Sequence, residues 1–180
     1  PLMTSTEPAI PSLEKALASQ FQSSFWYELA LTHKSFKNEN AHVSGDNERL
    51  EFLGDAVLSL VLSDELMNRF PEATEGVLSR LRASLVNENS LFAIATQIEL
   101  AQFLRLGRGE VQSGGTQKPR LLASAVEALI GAVYSDGGYE KAKISVLHLF
   151  RDKLNDPSLL TSFDMDFKTR LQELWQKKTG

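Results

Sequence analysis

Apolar residues recur at helical spacing along most of the chain, and no stretch alternates apolar and polar residues as a β-strand does. The longest periodic segment, residues 48–70, ends directly before Pro71, which a helix interior does not tolerate. Residues 121–134 are apolar almost all round, which is typical of a buried helix, and Gly137 and Gly138 end that segment. These patterns predict an all-α fold with two long helices at its centre.

Shorter periodic segments predict the other helices, at residues 12–25, 26–32, 77–87, 89–97 and 139–154. Ser12 is expected to be the N-cap of the first of them. Two segments rich in polar residues or glycine, 37–46 and 106–115, predict loops. The second is not expected to cradle a phosphate, because no strand precedes it and no lysine-serine pair follows it.

The two ends of the chain differ from its centre. Residues 1–11 are expected to be a disordered N-terminus, whose first two residues look like the remnant of a cleaved expression tag. Residues 12–155 are predicted to form one helical domain. Residues 156–166, which contain a proline and several acids, predict a linker to the last segment, 167–180.

Composition adds few constraints. The 180 residues include no cysteine, which excludes a disulfide framework and a thiolate zinc site. The three histidines are scattered, without the spacing of metal ligands. No apolar run is long enough to cross a membrane and no signal peptide is evident, so a cytoplasmic protein with no membrane partner is expected. The net charge of −4 does not exclude a polyanionic ligand, because a local basic surface is enough to bind one.

Acidic residues mark both predicted central helices. At about 100° per residue, Glu48, Glu51 and Asp55 fall on one arc of the first helix, where like charges repel unless a cation lies between them. An ordinary solvated helix face is the alternative explanation. Glu127 lies in the middle of the second, apolar helix, and an unpaired buried carboxylate is costly. Glu127 is therefore a candidate metal ligand, with a capping box that starts at Ser124 as the alternative.

Residues 47–58, NERLEFLGDAVL, closely resemble the signature of the bacterial ribonuclease III family. Three further blocks match in order: ALTHKS at 30–35, EGVLS at 75–79 and EALIGA at 127–132. A dozen-residue signature with three more blocks in register covers most of the chain. Such agreement is far more specific than a single short motif.

The resemblance implies a Mg²⁺-dependent endoribonuclease that hydrolyses phosphodiester bonds of double-stranded RNA. The expected products carry 5′-phosphates and 3′ overhangs, and the expected role is in rRNA, mRNA or small-RNA processing. In such an enzyme two divalent ions about 4 Å apart activate water and neutralise the phosphate. Mn²⁺ is expected to substitute for Mg²⁺, and no small-molecule cofactor is expected.

The resemblance also assigns residues to roles. Glu51, Asp55 and Glu127 are the expected catalytic metal ligands, and Glu48 and Glu75 are expected to support them. For Glu75, an ordinary first-turn acid that favours the helix dipole is the alternative. Ser124 stands where the family pattern has an aspartate, so this chain is expected to bind metal more weakly and to cleave less efficiently.

Two further expectations concern partners. A duplex has two strands, so a homodimer with two acidic clusters is expected, with Phe52 as the interlocking residue of its interface. Packing of Phe52 into its own chain's core is the alternative. Residues 167–180 resemble the first helix of an otherwise incomplete double-stranded-RNA-binding domain, from which Thr169, Gln172 and Gln176 would reach the RNA minor groove.

Two other functions stay open from the sequence. The chain could be a double-stranded-RNA-binding protein of the same fold that does not cleave, since Ser124 replaces an expected acid. An all-α nucleotide pyrophosphohydrolase also mounts carboxylates on helices, although the extended signature argues against it. His33, which belongs to the matching ALTHKS block, is expected to make a structural hydrogen bond rather than to take part in catalysis.

Overall fold

The computed structural model describes residues 10–156. Within that range the chain forms nine α-helices and two short 3₁₀ turns, Leu100–Phe103 and Gly115–Gln117. The helices are α1 Ile10–Ala16, α2 Ser24–Ala30, α3 Lys34–Glu39, α4 Glu48–Arg69, α5 Glu75–Val86, α6 Glu88–Gln97, α7 Arg108–Gln112, α8 Pro119–Leu149 and α9 Arg151–Leu154. The only β-type pairing of these residues is an isolated parallel bridge between Thr32 and Arg105, so the all-α prediction is confirmed.

Helices α4 and α8 form the centre of the fold and pack along one another. Their inward faces consist of aliphatic side chains, including the fully buried Leu58, Leu62 and Ile130. The two helices cross where each has a glycine. A Cβ atom on Gly54 would overlap the carbonyl oxygen of Glu127, and one on Gly131 would overlap a carbonyl oxygen of α4. Only glycine allows the two backbones to approach this closely.

Helix α8 is interrupted as the sequence predicted. Gly138 has φ of 77° and ψ of −171°, so two helical segments meet there at a kink. The first segment starts at Pro119, which suits the first turn of a helix because its missing N–H needs no partner. Beyond the kink, the second segment turns its own apolar residues, such as Val146, into the core.

Three local predictions were wrong. Helix α3 occupies part of the predicted loop 37–46, because the side chain of His33 caps its first turn. Helix α7 lies within the predicted loop 106–115, and the Glu39 carboxylate accepts hydrogen bonds from its first backbone N–H groups. Helix α1 starts before Ser12, which is therefore not its N-cap, and ends at Ala16.

No helix formed by residues 10–156 is long and apolar enough to cross a bilayer. The predicted RNA-contacting residues Thr169, Gln172 and Gln176 lie outside the described residues, as does the predicted linker from residue 157 onwards.

Candidate active site

The packing of α4 against α8 brings the predicted acidic residues to one place. Glu51 and Asp55 lie in the first two turns of α4 and flank Gly54 in sequence. The backbone of Glu127 lies directly against Gly54, so the Glu127 side chain leaves α8 beside these two carboxylates. Two segments more than seventy residues apart in sequence therefore contribute to a single acidic cluster, which consists of Glu51, Asp55 and Glu127.

The cluster is electrostatically strained. Burial raises the pKa of Glu127 from 4.5 to about 7, and the negative charges of Asp55 and Glu51 raise it further in the same direction. Near neutral pH the Glu127 carboxyl of the metal-free protein is therefore close to half protonated. A divalent cation beside Glu127 would favour the charged form and would lower this pKa.

Ser124 takes part in the cluster through Glu51. Its hydroxyl Oγ donates a hydrogen bond to Glu51 Oε1 at 2.9 Å, across the contact between the two helices. The capping-box explanation for Ser124 and Glu127 is wrong, because α8 begins five residues earlier, at Pro119. A neutral donor thus stands where the family pattern has a further negative charge.

The donor atoms of the acidic cluster suit a hard divalent cation. Carboxylate and hydroxyl oxygens are the ligands that Mg²⁺ prefers. Between residues 10 and 156, no three His, Asp or Glu side chains already converge on one coordination position. Coordination by both helices would therefore require the carboxylates of the acidic cluster to rotate about their side-chain bonds.

The two predicted supporting acids have other contacts. Glu48, in the first turn of α4, is exposed and forms an ion pair of 2.9 Å with Lys34. Glu75 is exposed in the first turn of α5 and accepts a hydrogen bond of 2.7 Å from the Ser79 hydroxyl. The supporting role of both acids stays a prediction.

A cleft of about 350 Å³ opens beside the acidic cluster. Acidic and basic side chains face each other across it, and its lining includes Lys34, Glu48, Glu51, Lys118, Arg120 and Ser124. We call it the α4–α8 cleft. His33 also lines it, while its Nδ1 accepts a hydrogen bond of 3.2 Å from the backbone N–H of Ser35. Burial lowers the pKa of His33, so a neutral, structural imidazole is favoured.

Phe52 projects from the same turn of α4 but on another side. Its side chain is 81% exposed, so the alternative in which it packs into its own chain's core is wrong. A cavity of about 860 Å³ lies next to it, lined in part by Trp26, Leu29 and Leu53.

The sequence analysis missed three residues that build the site. Gly54 and Gly131 set the distance between α4 and α8. The available signal was a glycine inside each predicted central helix, since such a glycine costs about 1 kcal/mol unless packing requires it. Asn47 is buried before α4, and its Nδ2 donates to the carbonyl oxygen of Ala30 at 3.2 Å. The position of Asn47 fixes where α4 begins, and a single buried asparagine gives no clear signal in a sequence.

Comparison with known proteins identifies the family. The profile of the family described as Ribonuclease-III-like matches residues 25–154. Ribonuclease 3 of Bdellovibrio bacteriovorus is 48% identical over 168 residues, which is 93% of this chain and 72% of that protein. Ribonuclease 3 of Alkalilimnicola ehrlichii is 49% identical over 164 residues, 90% of this chain and 68% of that protein.

A solved structure agrees with the sequence comparison. The nuclease domain of ribonuclease III from Campylobacter jejuni, described for flexibility in a region involved in dimer formation, has a TM-score of 0.75 and 44% identity to this chain. The match covers 80% of this chain and 97% of that domain. The family resemblance found in the sequence is thereby confirmed, and the chain belongs to the ribonuclease III family of endoribonucleases.

Proposed function

We propose that this chain hydrolyses phosphodiester bonds of double-stranded RNA with the help of Mg²⁺, for which Mn²⁺ substitutes, and leaves 5′-phosphates and 3′ overhangs. Its substrates would be precursors of ribosomal, messenger or small RNAs. The observation that carries the proposal is the crossing of α4 and α8 at Gly54, which places Glu127 against Glu51 and Asp55 and raises its pKa to about 7. Bound divalent ions would supply an activated water and neutralise phosphate charge.

The chain's own residues would prepare the site for that chemistry. Glu51, Asp55 and Glu127 would hold the cation with charged oxygens from two rigid helices. Ser124 would orient Glu51, since its hydroxyl already donates to Oε1. Glu48 and Glu75 would adjust the charge around the cluster. No side chain is needed as a general base, and His33 is engaged in capping α3.

A homodimer would supply one acidic cluster for each RNA strand. Phe52, largely exposed beside an apolar-lined cavity, would insert into the corresponding cavity of the second copy. The relative from C. jejuni is itself described as dimer-forming. This interface would bury the aromatic side chains that one copy alone leaves in water.

The proposed domain organisation extends beyond the described residues. Residues 12–155 would form the endonuclease domain and 156–166 a linker. Residues 167–180 would begin an RNA-binding domain, in which Thr169, Gln172 and Gln176 contact the minor groove. These three polar residues follow at helical spacing, which supports a shared contact face.

Cleavage of a long RNA duplex in Mg²⁺ tests the proposal directly. The wild-type chain should yield short duplexes with 5′-phosphate ends, whereas Glu127→Gln should yield almost none, and neither should cut a single-stranded RNA or a DNA duplex. If wild-type protein bound the duplex but left it intact at saturating Mg²⁺ and Mn²⁺, the chain would be the non-cleaving RNA-binding protein that Ser124 suggests. Release of pyrophosphate from free nucleoside triphosphates would instead favour the pyrophosphohydrolase.

A further inference from the structure

The α4–α8 cleft presents a difficulty for any polyanion that approaches the acidic cluster. Glu51 lines the cleft and Asp55 and Glu127 lie beside it, so negative charge repels a phosphate at the place where it must bind. An RNA strand needs compensating positive charge nearby. That charge must come from basic side chains along the cleft.

Two of the three basic side chains that line the cleft are already neutralised. Lys34 forms an ion pair of 2.9 Å with Glu48, and this contact raises the pKa of Lys34. Lys118 forms an ion pair of 2.7 Å with Glu110 and also donates to the Ser113 hydroxyl at 2.9 Å. Neither lysine offers its full charge to an incoming phosphate.

Arg120 is different from both lysines. It lines the cleft and is exposed, and its guanidinium has no hydrogen bond or ion pair with any residue from 10 to 156. It lies four residues before Ser124 on α8, about 6 Å along the helix axis and on the same face. Ser124 in turn contacts Glu51 of the acidic cluster. A free guanidinium therefore stands one helical turn from the proposed catalytic centre.

We propose that Arg120 binds a non-bridging oxygen of a backbone phosphate next to the scissile one and so positions the RNA strand in the α4–α8 cleft. The planar guanidinium with its fork of N–H donors suits a phosphate better than an ammonium group does. This inference rests on the proposed function and adds to it a substrate-positioning residue outside the acidic cluster.

The test compares Arg120→Gln with a matched control, Lys15→Gln, in the full chain. Lys15 is an exposed cation on α1 that does not line the cleft. Binding of a short, perfectly paired RNA duplex is measured without divalent metal over a range of salt concentrations. Loss of a phosphate contact should make the plot of log affinity against log salt shallower by about one for each contact, and should weaken binding about tenfold. Lys15→Gln should leave both quantities unchanged, and Arg120→Lys should largely retain the slope because it keeps the charge.

Cleavage kinetics in Mg²⁺ complete the test. Removal of a contact made equally in the ground and transition states should raise KM and leave kcat nearly unchanged. Equal salt slopes and equal KM values for Arg120→Gln and Lys15→Gln, with a wild-type protein that cleaves, would overturn this inference and leave the proposed function intact. A wild-type protein that does not cleave would contradict the proposed function, while the salt slopes would still decide the role of Arg120.

Discussion

Glu127 shows how far the chemistry of one residue depends on its neighbours. A carboxylate in an apolar helix could be recognised from the sequence as a costly feature, because no basic residue lies nearby in the same segment. The structure adds the cause of its raised pKa, which is burial together with the charges of Asp55 and Glu51. The sequence did not reveal that Ser124 donates a hydrogen bond to Glu51, because that contact depends on how two distant helices are aligned.

Replacement of Glu127 by Gln should stabilise the metal-free protein at alkaline pH only. The pKa of Glu127 is raised from 4.5 to about 7 in the folded state, so its stabilising effect is complete below pH 4.5 and disappears as pH rises through 7. Partial exposure of the side chain reduces the effect to about 1–2 kcal/mol. Thermal unfolding in chelator should show equal melting temperatures at pH 4.5 and a higher one for Glu127→Gln at pH 8. A difference that does not vary with pH would refute this assignment.

Ser124→Asp should make the protein more dependent on metal. The new carboxylate would lie where the Ser124 hydroxyl now contacts Glu51, so the metal-free melting temperature should fall. An additional charged oxygen should lower the Mg²⁺ concentration for half-maximal thermal stabilisation by roughly tenfold. Ser124→Ala, which removes the hydrogen bond without adding charge, is the matched control. Coincident Mg²⁺ titrations of Ser124→Asp and wild-type protein would contradict this prediction.

At the scale of elements, length decided what the sequence could predict. The boundaries of α4 were predicted to within one residue, and the start of α8 and its break at Gly138 were recognised from Pro119 and the glycine pair. Helices α3 and α7 are only six and five residues long and depend on caps from His33 and Glu39. A short helix has too few turns for a periodic pattern, so its caps are visible only in three dimensions.

The glycine crossing between α4 and α8 yields a sharp prediction at this scale. Gly54→Ala should destabilise the protein by at least about 3 kcal/mol, because the added Cβ would overlap the Glu127 carbonyl and force the two helices apart. Gly76→Ala in α5 is the control, since its Cβ would meet nothing closer than an Arg80 guanidinium nitrogen at 3.6 Å. That control should be neutral or stabilising by up to about 1 kcal/mol. Urea unfolding measures both, and equal stabilities would show that the close crossing is not required.

At the scale of the whole molecule, the sequence predicted the all-α fold and the family, and both are confirmed. The exact distance between the two acidic helices could not be predicted, because the crossing is set by tertiary packing rather than by local pattern. The 81% exposure of Phe52 is likewise a property of the folded surface. An aromatic side chain within a helical signature has the same appearance in sequence whether it faces the core or a partner.

Phe52→Asp should abolish the proposed dimer and leave the monomer folded. Because Phe52 is largely exposed in a single copy, its loss should change the monomer's melting temperature little, whereas a charge in an apolar interface is costly. Light scattering after gel filtration should show half the wild-type mass. Met67→Asp, an exposed residue of α4 away from the Phe52 cavity, should retain the dimer. An unchanged mass for Phe52→Asp would place the interface elsewhere.

The central claim is that carboxylates from α4 and α8 hold the same divalent cation. Anomalous diffraction from crystals soaked in Mn²⁺ tests it most directly. The account predicts an anomalous peak at coordinating distance from Glu127 and from at least one of Glu51 and Asp55. A map with no peak between the two helices, or with a peak coordinated from one helix alone, would contradict it.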